Sequence, residues 1–270
     1  TSYDSESTRD NLVEKTRALH TEQDKQLKGI LNRASLVTSS VGPNNLGLIA
    51  NLLDKHIEEK VDFIAFENMY RASTYVLEQK DSLSQKIQEH DVVVDKIIPL
   101  QNIENLNLIV ESFGSIVFDQ EQYTDKLIEL SEVVSKGDYE KEFTKKLWLL
   151  NGLHVCLAYY GLSKSVEYIY ELYEQKDHEE FIEKINSEYL KAYTLYSNQN
   201  VEEVLEYQNE INLRFSSKKS KDQTTRIARN PEIKFAKSER VHGPLKYLIK
   251  NGEEVSAMKE VLEIIFNNEF

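Results

Sequence analysis

The sequence predicts an α/β chain in which a parallel-sheet domain is followed by a mainly helical one. Three observations carry that reading. Short β-branched runs alternate with helical patterns as far as Val110. From Tyr123 onward the text turns to helix after helix. Four prolines and nine glycines in 270 residues leave little room for loop.

The first elements follow in order. Asp24 to Asn32 carries helical spacing, and Ala34 to Val41 is a short strand-like run. Gly42-Pro43-Asn44-Asn45 breaks it. Leu46 to Lys60 places apolar residues at 46, 48, 49, 52, 53 and 57, a helical pattern. Val61 to Phe66 is a second buried strand that stops at Glu67-Asn68. Met69 to His90 reads as helix, Val92 to Ile98 as a third extended run closed by Pro99, and Leu106 to Val110 as a fourth strand. Strands alternating with helices imply βαβ units. In such sheets ligands gather beyond the carboxyl ends of the strands, where Gly42, Asn68 and Asp95 fall. Helices are expected over 123–135, 139–160, 163–175, 178–196, 200–213 and 255–267. The stretch 216–226 reads as a polar, basic, mobile loop, and 229–246 as loop dense in cations and breakers. The domain boundary is expected near residue 118, giving 1–118 and 119–270.

Bulk composition narrows the function. A net charge of −13 argues against a nucleic-acid partner. One cysteine excludes an internal disulfide and fits a reducing cytoplasm. No apolar run approaches the ~20 residues that span a bilayer, and no secretory signal is visible. One cysteine and six scattered histidines form no metal-ligand cluster.

The chemistry concentrates in Lys146-Leu147-Trp148-Leu149-Leu150-Asn151-Gly152-Leu153-His154. On an ideal α-helix of ~3.6 residues per turn, Asn151 lies about 140° from Lys146 and His154 about 80°. The three side chains can share one poorly solvated cleft. Desolvation lowers the pKa of a lysine and makes a general base of it. The cations of 229–246 suit a polyhydroxylated or phosphorylated ligand.

Five segments in order, LVTSSVGPNNL (36–46), VDFIAFENMYR (61–71), VDKIIP (94–99), KLWLLNGLH (146–154) and RNP…SERVHGPLKYL (229–248), resemble the polyol-specific long-chain dehydrogenases, the mannitol dehydrogenase family, nearest its mannitol-1-phosphate 5-dehydrogenase-like members. The K-x4-N-x2-H spacing is the most specific of the matches. The resemblance implies a Rossmann-like domain and a metal-independent, NAD(P)-dependent oxidoreductase interconverting a polyol, or polyol phosphate, and its ketose. It implies Lys146 as general base, and Asn68 and Asn151 as donors to the developing alkoxide. His154, Asp95, Arg240 and Lys246 would contact the substrate, and Val41, Gly42 and Asn68 the cofactor. NAD is the expected cofactor, with NADP open, and a monomer or dimer is expected.

The chain also departs from the pattern. No G-x-G-x-x-G is present, so the family's first strand and phosphate-binding turn are expected before residue 1. Gly152-Leu153 and His242-Gly243 stand where the family usually has Thr-Gly and often has Gly-Arg. The competing expectation is a truncated or degenerate, non-catalytic relative acting as a binding or scaffold protein.

Overall fold

The computed structural model describes residues 16–96, 114–124, 134–237 and 239–267, together with the backbone of short strands β1 (Ser2–Tyr3), β2 (Thr8–Arg9) and β7 (Val110–Glu111). Backbone contacts divide the chain into two compact units. A sheet unit comprises residues 10–96 and 113–143, and a helical unit comprises 1–9, 97–112 and 144–270.

The sheet unit is built on βαβ crossovers. Helix α1 (Asp24–Leu31) leads into β3 (Leu36–Ser39). Helix α2 (Leu46–His56) then returns the chain to β4 (Val61–Ala65), and α3 (Ala72–Glu78) returns it to β5 (Ile87–Glu89). The three strands pair in parallel in the order β3-β4-β5, with Val37 opposite Phe63 and Phe63 opposite Glu89. β4 is buried on both faces, as the middle strand of a covered parallel sheet should be. Phe63 packs with Leu46, Leu53 and Val76, whereas Ile64 packs with Val92 and Phe118. A second sheet joins β6 (Val92–Val94), β8 (Ile116–Asp119) and β9 (Val134–Gly137) in the order β6-β8-β9, antiparallel and then parallel.

The sheet unit corrects the sequence reading in two places. The helix expected over 69–90 is three elements: α3, a 3-10 turn at Asp81–Gln85, and β5. Ala72, Val76, Leu83 and Ile87 repeat at spacings a helix tolerates, but the parallel ladder to β4 claims residues 87–89. The helix expected over 123–135 meets β9 at residue 134, paired to β8, and residues 125–133 lie outside the described residues. Ile97, Ile98 and most of the strand expected at 106–110 also lie outside them.

The helical unit centres on α5 (Leu153–Ser163). Leu153, Val155, Cys156, Leu157, Ala158, Tyr159 and Tyr160 are all buried, so this helix is apolar around its circumference and enclosed by neighbours. α6 (Ile169–Glu174), α7 (Glu179–Ser197), α9 (Thr224–Ile227) and α12 (Ser256–Asn267) pack on it. α8 (Val201–Ser216) packs on α6 and α7, and α11 (His242–Lys250) on α7. Tyr160 and Phe181 stack 3.7 Å apart, and Tyr159 donates to Ala228 O at 2.5 Å. The buried carboxylate of Glu188 on α7 accepts from Ala257 N at 2.7 Å and Met258 N at 2.8 Å, closing the first turn of α12. Among the described residues no helix is long and apolar enough to cross a membrane.

The expected mobile loop at 216–226 is instead a tied strap. Ser220, Asp222 and Thr224 are buried, Thr224 Oγ1 donates to Val166 O, and Asp222 O accepts from Ile169 N. Its polar residues bond inward to Val166, Ile169 and one another, which composition alone does not reveal. The loop expected over 229–246 likewise contains α10 (Pro231–Lys234) and the start of α11.

Candidate functional site

The expected single helix over 139–160 is interrupted. α4 (Tyr139–Lys145) runs into a π-helix at Lys146–Gly152 before α5 begins. A π-turn bonds residue i to i+5, with about 4.4 residues per turn, so Asn151 falls about 50° from Lys146 rather than 140°. The motif's amine and amide thus rise from one face of the helix. Both residues are half-buried, between buried Trp148, Leu149 and Leu150 and the core of α5. π-turns are rare and concentrate at functional sites because packing must offset their strain.

The packing that holds this turn comes from the cationic segment. A Cβ added to Gly152 would stand 2.4 Å from Arg240 O and 2.5 Å from the Tyr189 ring. Only a glycine lets the Arg240 backbone lie against the π-helix. Tyr189, fully buried on α7, donates to Arg240 O at 2.9 Å and contacts Cys156 Sγ at 3.3 Å. Gly243 sits against the Trp148 indole. Two segments remote in sequence, 146–154 and 239–246, therefore meet as one surface. Arg240 is half-buried, its Nε donating to Glu239 Oε2 at 3.2 Å, while Lys246 is exposed on α11. Lys234 donates to Ile227 O and Arg229 O. Burial, with Arg240 and Arg229 nearby, pulls its pKa down to about 8.

In the sheet unit, the carboxyl ends of the strands gather the other candidates. Buried Glu67 accepts from Val41 N at 2.7 Å and Gly42 N at 2.9 Å, fixing the turn after β3 to the end of β4. Asn68 follows, exposed. Its turn is held by Arg71, whose left-handed backbone (φ 45°) starts α3. The Arg71 guanidinium reaches Asp119 at 2.9 Å, Glu140 at 3.1 Å and Asp91 at 3.3 Å, and lies over the Tyr139 ring at 4.5 Å. Arg71 N donates to Tyr139 Oη at 2.7 Å. Asp91, fully buried, also accepts from Ser73 N, Thr74 N and Thr74 Oγ1. Asp95 is 3% exposed just past β6, where its backbone crowds Gly114. A Cβ on Gly114 would stand 1.8 Å from Asp95 O.

Two family models match. The mannitol dehydrogenase Rossmann domain covers residues 1–132, and the mannitol dehydrogenase C-terminal domain covers 139–267. The chain belongs to the mannitol dehydrogenase family. Among curated members of that family it is 28% identical to mannitol-1-phosphate 5-dehydrogenase from Thermoanaerobacter pseudethanolicus, over 89% of this chain, and 31% identical to the protein of that name from Clostridium acetobutylicum, over 87%. It spans 66% of each, slightly under two thirds of their length. Among solved structures, a D-sorbitol dehydrogenase in substrate-free form matches with TM-score 0.68 and 14% identity, covering 91% of this chain and 63% of that one. Pseudomonas fluorescens mannitol 2-dehydrogenase, solved as a ternary complex with NAD and D-mannitol, matches with TM-score 0.59 and 14% identity, covering 91% and 62%. At that identity the likeness is one of fold, a parallel-sheet domain joined to a helical one.

Within this mannitol dehydrogenase family chain, the structure adds residues that the motifs did not single out. Glu67, Arg71 and Tyr189 touch or hold the candidates through contacts between distant segments. The last candidate, His154, opens α5 with its Nε2 3.2 Å from Asp222 Oδ2. Nothing in the local text of 216–226 marks Asp222 as its neighbour.

Proposed function

We propose that the protein is a nicotinamide-dependent dehydrogenase interconverting a polyol, or polyol phosphate, and the matching ketose. Lys146 is the general base, and Asn68 and Asn151 are the donors to the developing alkoxide. The observation that carries this reading is the π-helix, which sets Lys146 and Asn151 on one face. As the alcohol is oxidised, the Lys146 amine takes the hydroxyl proton. The amides stabilise the charge that grows on the oxygen, where fixed dipoles count most. Arg240 and Lys246 supply cations for the distal end of the substrate, and the shared name of the curated relatives favours D-mannitol 1-phosphate as the first substrate to try.

The turn after β3 suits a nicotinamide ring. Exposed Val41 offers apolar surface, and the Val41 and Gly42 amides are already satisfied by Glu67. A carboxylate beneath the turn opposes a phosphate there and favours an uncharged or cationic ring. The bound cofactor would accept the hydride. The proton chemistry needs no metal ion in this reading, and NAD is preferred over NADP as the cofactor to test first.

The test is turnover of D-mannitol 1-phosphate with NAD, followed by nicotinamide absorbance, in the purified protein and two sets of variants. Lys146→Ala is expected to lower kcat by about 1,000-fold. Asn68→Ala and Asn151→Ala are each expected to lower it by about 100-fold. A Lys146→Ala protein of normal fold and near wild-type rate overturns the assignment.

A further inference from the structure

His154 and Arg226, both half-buried, flank the enclosed carboxylate of Asp222, a residue that the reading above leaves without a task. The His154 ring stacks on Phe215, with centroids 4.7 Å apart and planes 17° from parallel. Its Nε2 faces Asp222 Oδ2 at 3.2 Å, and the Asp222 side chain is 1% exposed. The other oxygen, Oδ1, accepts from Arg226 Nη2 at 2.5 Å. His154 Nε2, Asp222 Oδ2 and Arg226 Nε are buried without a well-aligned hydrogen bond. The distance and this lack of alignment are compatible. The ring nitrogen stands within hydrogen-bond reach of the carboxylate but off its line.

Asp222 cannot follow the ring far. Its carbonyl is tied to Ile169 N, and two residues on Thr224 is bonded to Val166 O. Burial works against its charge, but His154 and Arg226 together hold its carboxyl below the usual range. An ionised carboxylate only accepts hydrogen bonds. A neutral imidazole has one donor and one acceptor nitrogen, and the group beside one nitrogen decides the role of the other.

We propose that Asp222, steadied by Arg226, is a positioning residue that keeps the His154 proton on Nε2 and so presents Nδ1 as an acceptor for a substrate hydroxyl. The inference rests on the reading that His154 faces the substrate. It deepens that reading, because the ligand at this contact must donate. A polyol hydroxyl fits, whereas a carbonyl or carboxylate oxygen meets a lone pair.

Two measurements test it. In 15N-labelled protein, long-range proton–nitrogen spectra report the tautomer of each histidine, and the His154 signals are those lost in His154→Asn. The expected wild-type pattern has the proton on Nε2, and Asp222→Asn replaces it with a mixed pattern. A wild-type proton on Nδ1 overturns the proposal, as does an unchanged pattern in Asp222→Asn. Should Asp222→Asn fail to fold, the wild-type pattern decides alone.

In steady-state oxidation of D-mannitol 1-phosphate, Asp222→Asn is expected to raise KM about tenfold while kcat changes about twofold or less. The double variant with His154→Asn is expected to be no worse than His154→Asn alone. Losses that multiply overturn the coupling. A silent His154→Asn in an active protein overturns the placing of His154 at the substrate. A protein that turns over no polyol overturns the parent reading, and the tautomer still judges Asp222.

Discussion

At the scale of single residues, Gly152 carries the tightest constraint. Its missing side chain is the space that the Arg240 carbonyl and the Tyr189 ring occupy. Gly152→Ala must push one of them away, and the nearer is backbone. We expect a loss of about 1–3 kcal/mol in urea unfolding, and, with Asn151 in the role proposed for it, a lower kcat as the turn shifts. Lys234 gives a prediction with a sign. Its pKa falls from 10.5 to about 8 in the folded protein. Between those values the unfolded chain binds more protons, so stability should rise as pH climbs from about 8 to 10.5. Lys234→Met should flatten that slope in urea unfolding at stepped pH. The candidates Lys146, Asn151 and His154 were legible because they lie within one helix's reach of each other in the sequence. Asp222 was not. It reaches His154 through the fold, from a stretch whose polar text reads as solvated loop.

At the scale of elements, the π-helix shows what local text hides. Lys146 to Gly152 has good α-helical composition, and the inserted turn follows from tertiary contact with 239–246. The same holds for β5, where a helical spacing of Ala72, Val76, Leu83 and Ile87 gave way to pairing with β4. By contrast β3, α2 and β4 were readable, because β-branched runs, the Gly42-Pro43 break and a helical apolar stripe all agree there. Helix α12 depends on a remote carboxylate. Glu188→Ala leaves the Ala257 and Met258 amides unpaired in a buried place. We expect a cost of about 2 kcal/mol, seen as a lower urea midpoint, with faster amide exchange confined to the first turn of α12.

At the scale of the whole molecule, each unit has its own core. Leu46, Phe63 and Ile87 belong to that of the sheet unit, and Tyr159, Tyr189 and Phe215 to that of the helical one. Trp148 is the only tryptophan, so its emission reports the helical unit, whereas circular dichroism reports both. Arg71→Met removes the counter-charge of buried Asp91 and Asp119, a loss of about 2–3 kcal/mol in the sheet unit. We expect the dichroism transition to move to lower urea while the Trp148 midpoint stays. Coincident shifts of both probes would show the two units unfolding as one. The two-part architecture was legible from the change of texture along the chain, but the pairing of β9 with β8 was not, because it depends on contact between separate segments. Cys156 has a consequence of its own. It is the chain's one thiol, wholly enclosed beside Tyr189, and its pKa is pushed up to about 12 by burial. An aromatic disulfide reagent in neutral buffer should find nothing to react with until α5 parts from α7. The rate of colour release is then a clock that counts spontaneous openings of that interior, with no label added.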